Sequence, residues 1–270
     1  MIKLAVKNTI YPLIKSSPDF LIIGVQRAGT TSLYKYLINH PQIIISHKLR
    51  ETYYFDIDDN YDKGFGWYLG HFPFLWNKRN KLTFEASPSY ILSSKTMFRI
   101  REKLGKIKMI LLLRNPVERA YSAWQMFHSY TNISNQKLRD RADNRSFSEA
   151  ITQELNEPNQ INKYPYNYLK RGRYYEQLCN YLEYFSLDEL LILDFKEFAK
   201  NLNESLNKVS NFLNIDNFSK EEIDLYKQQK YAVATYKISD EDKYLLEKLK
   251  DYFMPFNEQL YQLLEINYNW

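Results

Sequence analysis

Short apolar runs separated by amphipathic stretches set the pattern of this chain. Phe20-Leu21-Ile22-Ile23, between Pro18 and Gly24, predicts a buried strand of a parallel sheet. Just after it, Leu33, Tyr34, Leu37 and Ile38 fall at helical spacing, which predicts a helix over 30–38 that Pro41 stops. Ile43-Ile44-Ile45 predicts a second strand. Lys108–Leu113, ended by Arg114, predicts a third, and Leu190–Leu193, ended by Asp194, a fourth. Helical periodicity recurs at about 95–104, 116–130, 146–155, 170–185 and 201–213, with two further amphipathic stretches at 240–252 and 257–265. Strands alternating with helices predict a three-layer α/β fold with a central parallel sheet flanked by helices.

No composition break divides the chain, so residues 1–270 read as one domain. Segment 131–146 is polar and reads as a surface insertion. Segment 1–17, basic at Lys3, Lys7 and Lys15, reads as an N-terminal arm packed on the domain or, second, as a helix in weak contact with a membrane surface. No apolar run approaches the ~20 residues of a spanning helix. The 44% hydrophobic and 16% aromatic content excludes a disordered chain. Cys179 is the single cysteine, which excludes an internal disulfide framework. His40, His47, His71 and His128 lack ligand spacing, so no metal is expected. A net charge of +5 suits an anionic ligand and is too weak to demand nucleic acid.

Gly24-Val25-Gln26-Arg27-Ala28-Gly29-Thr30-Thr31 lies between the first strand and the first helix. Its spacing is that of a P-loop, with Thr30 where the lysine belongs, so the architecture reads as P-loop-like. Glycines let the backbone close on an anion, and the N–H groups and dipole of the following helix favour phosphate or sulfate. Gln26, Arg27, Ala28, Gly29, Thr30, Thr31 and Ser32 are therefore candidate ligands of an anionic cofactor. The missing lysine argues against a nucleoside triphosphatase.

At this loop the chain resembles sulfotransferases that use 3′-phosphoadenosine-5′-phosphosulfate (PAPS). The resemblance extends to the heparan sulfate 3-O- and N-sulfotransferases, bacterial members included. It is carried further by Lys48–Asp56, Gly64–Leu69, Phe84–Tyr90, Leu113–Ser122 and Gly172–Leu178. It implies transfer of a sulfuryl group to a hydroxyl or amine of an acceptor glycan or small molecule, with Glu51 as catalytic base. Arg27, in a position usually held by lysine, can stabilise the leaving phosphate but cannot serve as a proton donor. Arg114 and Ser122 match the family's 3′-phosphate site. Tyr174 reads either as lining the adenine pocket or as a core aromatic.

Two departures stand out. Ala86 occupies a position where glycan-acting members often carry a lysine, and the late basic loop is represented only by Lys230 or Lys237. A chain without a Golgi-type anchor, using a donor made in the cytosol, reads as cytoplasmic. Two other readings remain: a P-loop kinase or nucleotide hydrolase, and a non-catalytic nucleotide-binding module. His47 is the next candidate base after Glu51.

Overall fold

The computed structural model describes residues 2–46, 50–157, 166–228 and 238–270. In chain order, the elements used below are α1 (Ile2–Ile14), β1 (Phe20–Gly24), α2 (Thr30–Leu37), β2 (Phe84–Ala86), α3 (Ser94–Leu104), β3 (Lys108–Leu113), α4 (Pro116–Ser129), α5 (Phe147–Asn156), α6 (Tyr174–Leu182), β4 (Leu190–Asp194), α7 (Leu202–Leu213) and α8 (Asp240–Leu264). The chain divides into two compact units, Met1–Leu113 with Cys179–Val233, and Arg114–Leu178 with Ala234–Trp270.

The first unit holds a four-stranded, all-parallel sheet in the order β2-β1-β3-β4. Phe20 to Ile23 of β1 are all 0% exposed, as expected of a strand covered on both faces. The chain leaves β1 first for β2 on one side and then for β3 on the other. The carboxyl end of β1 is therefore a topological switch point, where ligands of open parallel sheets bind. Three of the four predicted strands appear where the apolar runs place them. The isoleucine run does not: Ile43 makes only an isolated bridge to Leu82 at the sheet edge. The strand that pairs with β1 is Phe84–Ala86. A charged residue, Glu85, sits at its centre, so a search for apolar runs passes over it.

α1 is fixed within this unit by Asn8, whose Nδ2 donates to Lys63 O at 2.9 Å and whose Oδ1 accepts from Trp67 N at 3.1 Å. Among the described residues no helix is long and apolar enough to cross a membrane.

The second unit packs α4, α5 and α8 around Trp124, Phe127, Phe147, Ile151, Tyr168, Leu249 and Phe253. Asn115 caps α4, its Oδ1 accepting from Val117 N and Glu118 N, and Pro116 opens the helix where a missing N–H costs nothing. Ser146 and Glu149 form a capping box on α5. The polar stretch before it folds into a 3₁₀ turn at Tyr130–Asn132 and a one-turn helix at Gln136–Arg139. The two predicted C-terminal stretches form one 25-residue helix that runs through Pro255. Leu249, Phe253, Asn257 and Leu260 keep one buried face across the proline, and burial outweighs the lost backbone bond. α6 starts later than periodicity predicts. A 3₁₀ turn at Lys170–Gly172 precedes it, and a Cβ on Gly172 would lie 2.7 Å from Phe253 and 2.9 Å from Pro116.

Candidate active site

The anion loop leaves β1 at the switch point. A Cβ on Gly24 would stand 2.7 Å from Leu111 Cδ1 and 2.9 Å from Ile91 Cγ2, so only glycine lets β1 end this close to β3. Val25 N then donates to Leu112 O at 2.9 Å, which keeps the loop on the sheet. Arg27 and Gly29 both take left-handed backbone, with φ of 73° and 88°. For arginine this is a sparsely populated conformation, of the kind found at ligand clamps. Gly29 serves as N-cap of α2, and no side chain caps the helix. The first-turn N–H groups of Thr30 and Thr31 have no internal i−4 carbonyl to pair with, while Ser32 N donates to Gly29 O at 3.0 Å. Ala28 and Thr30 are buried, whereas Gln26, Arg27, Thr31 and Ser32 are part-exposed at the loop rim.

Glu51 lies on the same side of the sheet. Ala86 N, at the end of β2, donates to Arg50 O at 3.2 Å, so the segment after the isoleucine run reaches the carboxyl end of β2. Both carboxylate oxygens of Glu51 are engaged: Arg50 Nη2 donates to Oε1, and the Tyr53 hydroxyl donates to Oε2. The other arm of Arg50, Nη1, donates to Thr31 Oγ1. One guanidinium thus joins the first turn of α2 to the candidate base, across 19 residues of sequence. The Glu51 side chain is 17% exposed, accessible yet largely shielded.

Behind Glu51 stands a second carboxylate. Glu85 is 2% exposed, and its Oε1 accepts from Thr52 N at 3.0 Å, Thr52 Oγ1 at 2.6 Å, Ser87 Oγ at 2.6 Å and Tyr90 Oη at 2.8 Å. Tyr90 Oη also accepts from Tyr54 N at 3.1 Å, and Asn60 Nδ2 donates to the carbonyls of Thr52 and Tyr53. The backbone following Glu51 is therefore held from both sides. Burial pushes the Glu85 pKa above its ordinary value, against the opposing pull of its hydrogen bonds to Ser87, Thr52 and Tyr90.

In the second unit, Arg114 directs Nε and Nη2 to Glu118 Oε2, both at 3.2 Å, and its carbonyl accepts from Tyr174 Oη at 2.7 Å. Tyr174 is 2% exposed and meets Trp270 edge-on at 5.7 Å, so its position is that of a core aromatic that fixes the Arg114 backbone. Ser122 is buried on α4, and one turn before it Arg119 is 0% exposed. His47, Lys230 and Lys237 lie outside the described residues.

Sequence reasoning singled out the loop and Glu51, and the structure joins the two through Arg50. It missed Arg50 and Glu85 as parts of one array, because Arg50 meets Thr31 and Glu85 meets Thr52 only through the fold. The signals for Glu85 were its place in the Phe84–Tyr90 stretch that carries the resemblance and a carboxylate inside an otherwise apolar triplet, Phe84-Glu85-Ala86.

Comparison with known proteins agrees with this geometry. Residues 17–242 match the model of the sulfotransferase domain. The chain is 27% identical over 278 residues to mouse heparan sulfate glucosamine 3-O-sulfotransferase 5, covering 97% of this chain and 76% of that protein. It is 32% identical over 201 residues to mouse bifunctional heparan sulfate N-deacetylase/N-sulfotransferase 4, covering 73% of this chain and 22% of that longer protein. A sulfotransferase from Alicyclobacillus acidocaldarius superposes with a TM-score of 0.72 at 24% identity, over 93% of this chain and 96% of that one. Mouse sulfotransferase SULT7A1, solved in complex with PAP, superposes with a TM-score of 0.54 at 16% identity, over 83% and 68%. An anion loop at the switch point of a parallel sheet, with an arginine-held carboxylate beside it, thus belongs to a chain that is a member of the sulfotransferase domain family, a sulfotransferase enzyme.

Proposed function

We propose that this sulfotransferase uses PAPS as donor and a carbohydrate hydroxyl or amine as acceptor, with Glu51 as general base. The observation that carries the reading is the array Thr31–Arg50–Glu51–Tyr53, which sets a carboxylate next to the first turn of the anion-loop helix. Sulfuryl transfer asks for a base on the attacking acceptor, fixed donors on the sulfuryl oxygens, and a cation toward the leaving phosphate. Glu51 supplies the first. The backbone of Gln26–Gly29 and the hydroxyls of Thr30, Thr31 and Ser32 supply the second. Arg27 supplies the third as a permanent charge, because a guanidinium does not give up its proton at neutral pH. Arg114 and Ser122 take the 3′-phosphate, and Tyr174 holds the Arg114 backbone in place. The heparan-acting relatives support a glycan acceptor. The cytoplasm, where the donor is made, is the compartment proposed.

The test is a screen with labelled PAPS against polysaccharide and small-molecule acceptors, paired with thermal unfolding. Adenosine 3′,5′-bisphosphate (PAP) at about 100 times Kd is expected to stabilise the protein by about 2.7 kcal/mol. ATP with Mg²⁺ is expected to stabilise it far less. Equal stabilisation by ATP, with a metal requirement, favours the kinase reading instead.

A further inference from the structure

Arg119 is the most deeply buried cation of the second unit. It is fully inaccessible, it lies one turn before Ser122 on α4, and its backbone N–H belongs to the helix. Among the described residues, only Nη2 of its guanidinium nitrogens has a partner, the carbonyl of Tyr168. Nε and Nη1 are buried without a hydrogen bond. Buried guanidinium groups are normally paired, because removing a charge from water without compensation is strongly unfavourable.

Its surroundings carry charge of both signs. Arg114 and Arg171 both act on Arg119 electrostatically with the same sign. The opposing acid is Glu154, whose Oε1 already accepts from Leu169 N and Lys170 N at 2.9 Å each. Tyr174 also faces Arg119, and its hydroxyl donates to Arg114 O. Glu118, the other nearby carboxylate, is paired with Arg114 and 61% exposed. Burial, together with the two arginines, holds the pKa of Arg119 down to about 10, so it stays charged at neutral pH.

Uncompensated charge of this kind is stable in a native fold when a ligand supplies the counter-charge. We infer that Arg119 is a donor-affinity residue: its guanidinium, two of whose nitrogens the protein leaves without an acceptor, is matched by the 3′-phosphate of the nucleotide bound at Arg114 and Ser122. This rests on the reading that those two residues take that phosphate. Arg119 and Ser122 are spaced i, i+3 on α4, which puts them on one face of the helix.

The consequence is a pair of effects with opposite signs. Arg119→Met removes a buried, unmatched charge and keeps most of the side-chain volume. Without nucleotide, the variant is expected to unfold at the same temperature as the parent or higher. Its affinity for PAP is expected to fall by about tenfold, the scale of one charge-assisted interaction. Its affinity for adenosine 5′-monophosphate, which lacks only the 3′-phosphate, is expected to stay within about twofold of the parent. Arg119→Lys keeps the charge and is expected to retain most of the preference for PAP.

The measurement is calorimetric titration of the full chain and both variants with PAP and with adenosine 5′-monophosphate, alongside nucleotide-free thermal unfolding. If the parent itself does not prefer PAP, the assignment of the 3′-phosphate to Arg114 and Ser122 fails. If the parent prefers PAP and Arg119→Met preserves that preference, the assignment stands and the role of Arg119 is refuted. An Arg119→Met protein that is less stable, fails to fold, or loses both ligands equally makes Arg119 structural and also overturns the inference. So does an Arg119→Lys protein that loses the preference as fully as the methionine variant.

Discussion

Glu85 and Arg119 are both almost wholly removed from water, at 2% and 0% exposure, and their surroundings treat them differently. Four donors converge on Oε1 of Glu85, all from the segments that follow Glu51 and β2, while its Oε2 is buried without a hydrogen-bond partner among the described residues. Arg119 has one carbonyl for five N–H donors, with two other arginines in electrostatic reach. A buried charge tied down by its own protein fixes local backbone. A buried charge left unmatched raises the energy of the unliganded state and lowers the relative cost of binding a counter-charge. On the proposed reading, the surroundings of Glu51 in the first unit are held by the protein itself, and Arg119 in the second unit is left to be matched by a ligand.

The largest expected effect lies on the built side. Glu51→Gln preserves shape and removes the base, so kcat is expected to fall by roughly 10²–10⁴-fold. PAP affinity, read by calorimetry on the same preparation, is expected to change little if the carboxylate serves the acceptor as proposed. Near-normal turnover would remove Glu51 as base and move attention to His47.

Next in size is Glu85→Ala. It leaves the Thr52 N–H and the hydroxyls of Thr52, Ser87 and Tyr90 without their common acceptor and opens a cavity. The expected loss is about 3–4 kcal/mol in urea denaturation. Arg119→Met, at the same degree of burial, is expected to cost nothing in the absence of nucleotide. Equal losses at the two positions would abolish the distinction between them.

Most of the frame behind this contrast is legible in the sequence. β1, β3 and β4 are apolar runs, α4 begins at an Asn-Pro cap, and the anion loop carries its glycines at a fixed spacing. β2 is not legible, because its central residue is a carboxylate whose compensation comes from Thr52, 33 residues earlier. The array at Glu51 is half legible. Glu51 and Tyr53 are near neighbours, but the Arg50–Thr31 contact needs the sheet to bring two loops together. Nothing in the local sequence marks Arg119 as buried, since arginine on a helix is ordinarily a surface residue. Its burial follows from packing against Tyr168, which no local pattern encodes.

The smallest expected effect concerns how completely Glu85 is compensated. Its pKa is raised, so the folded protein holds the Glu85 proton to higher pH than the unfolded chain does. The stability this contributes is fully present below the ordinary value of 4.5 and is lost as pH rises through the raised value. Glu85→Gln keeps an acceptor for the same four donors and has no proton to lose. The stability of the glutamine variant relative to the parent is therefore expected to improve as pH rises above 4.5 and to level off beyond the raised value. The slope is at most about 1.4 kcal/mol per pH unit. His71 lines the same small cavity as Glu85 and is present in both proteins, so its own effect cancels in the difference to first order. Urea denaturation of the pair between about pH 4 and 8 reads the trend. A flat difference would mean that the four donors offset burial completely, and a trend favouring the parent would mean that they outweigh it. The same comparison on Arg119→Met is expected to trend against the variant as pH rises: Arg119 itself, held down to about 10, is charged throughout the window, but its loss removes a charge that holds down the already raised pKa of Glu154.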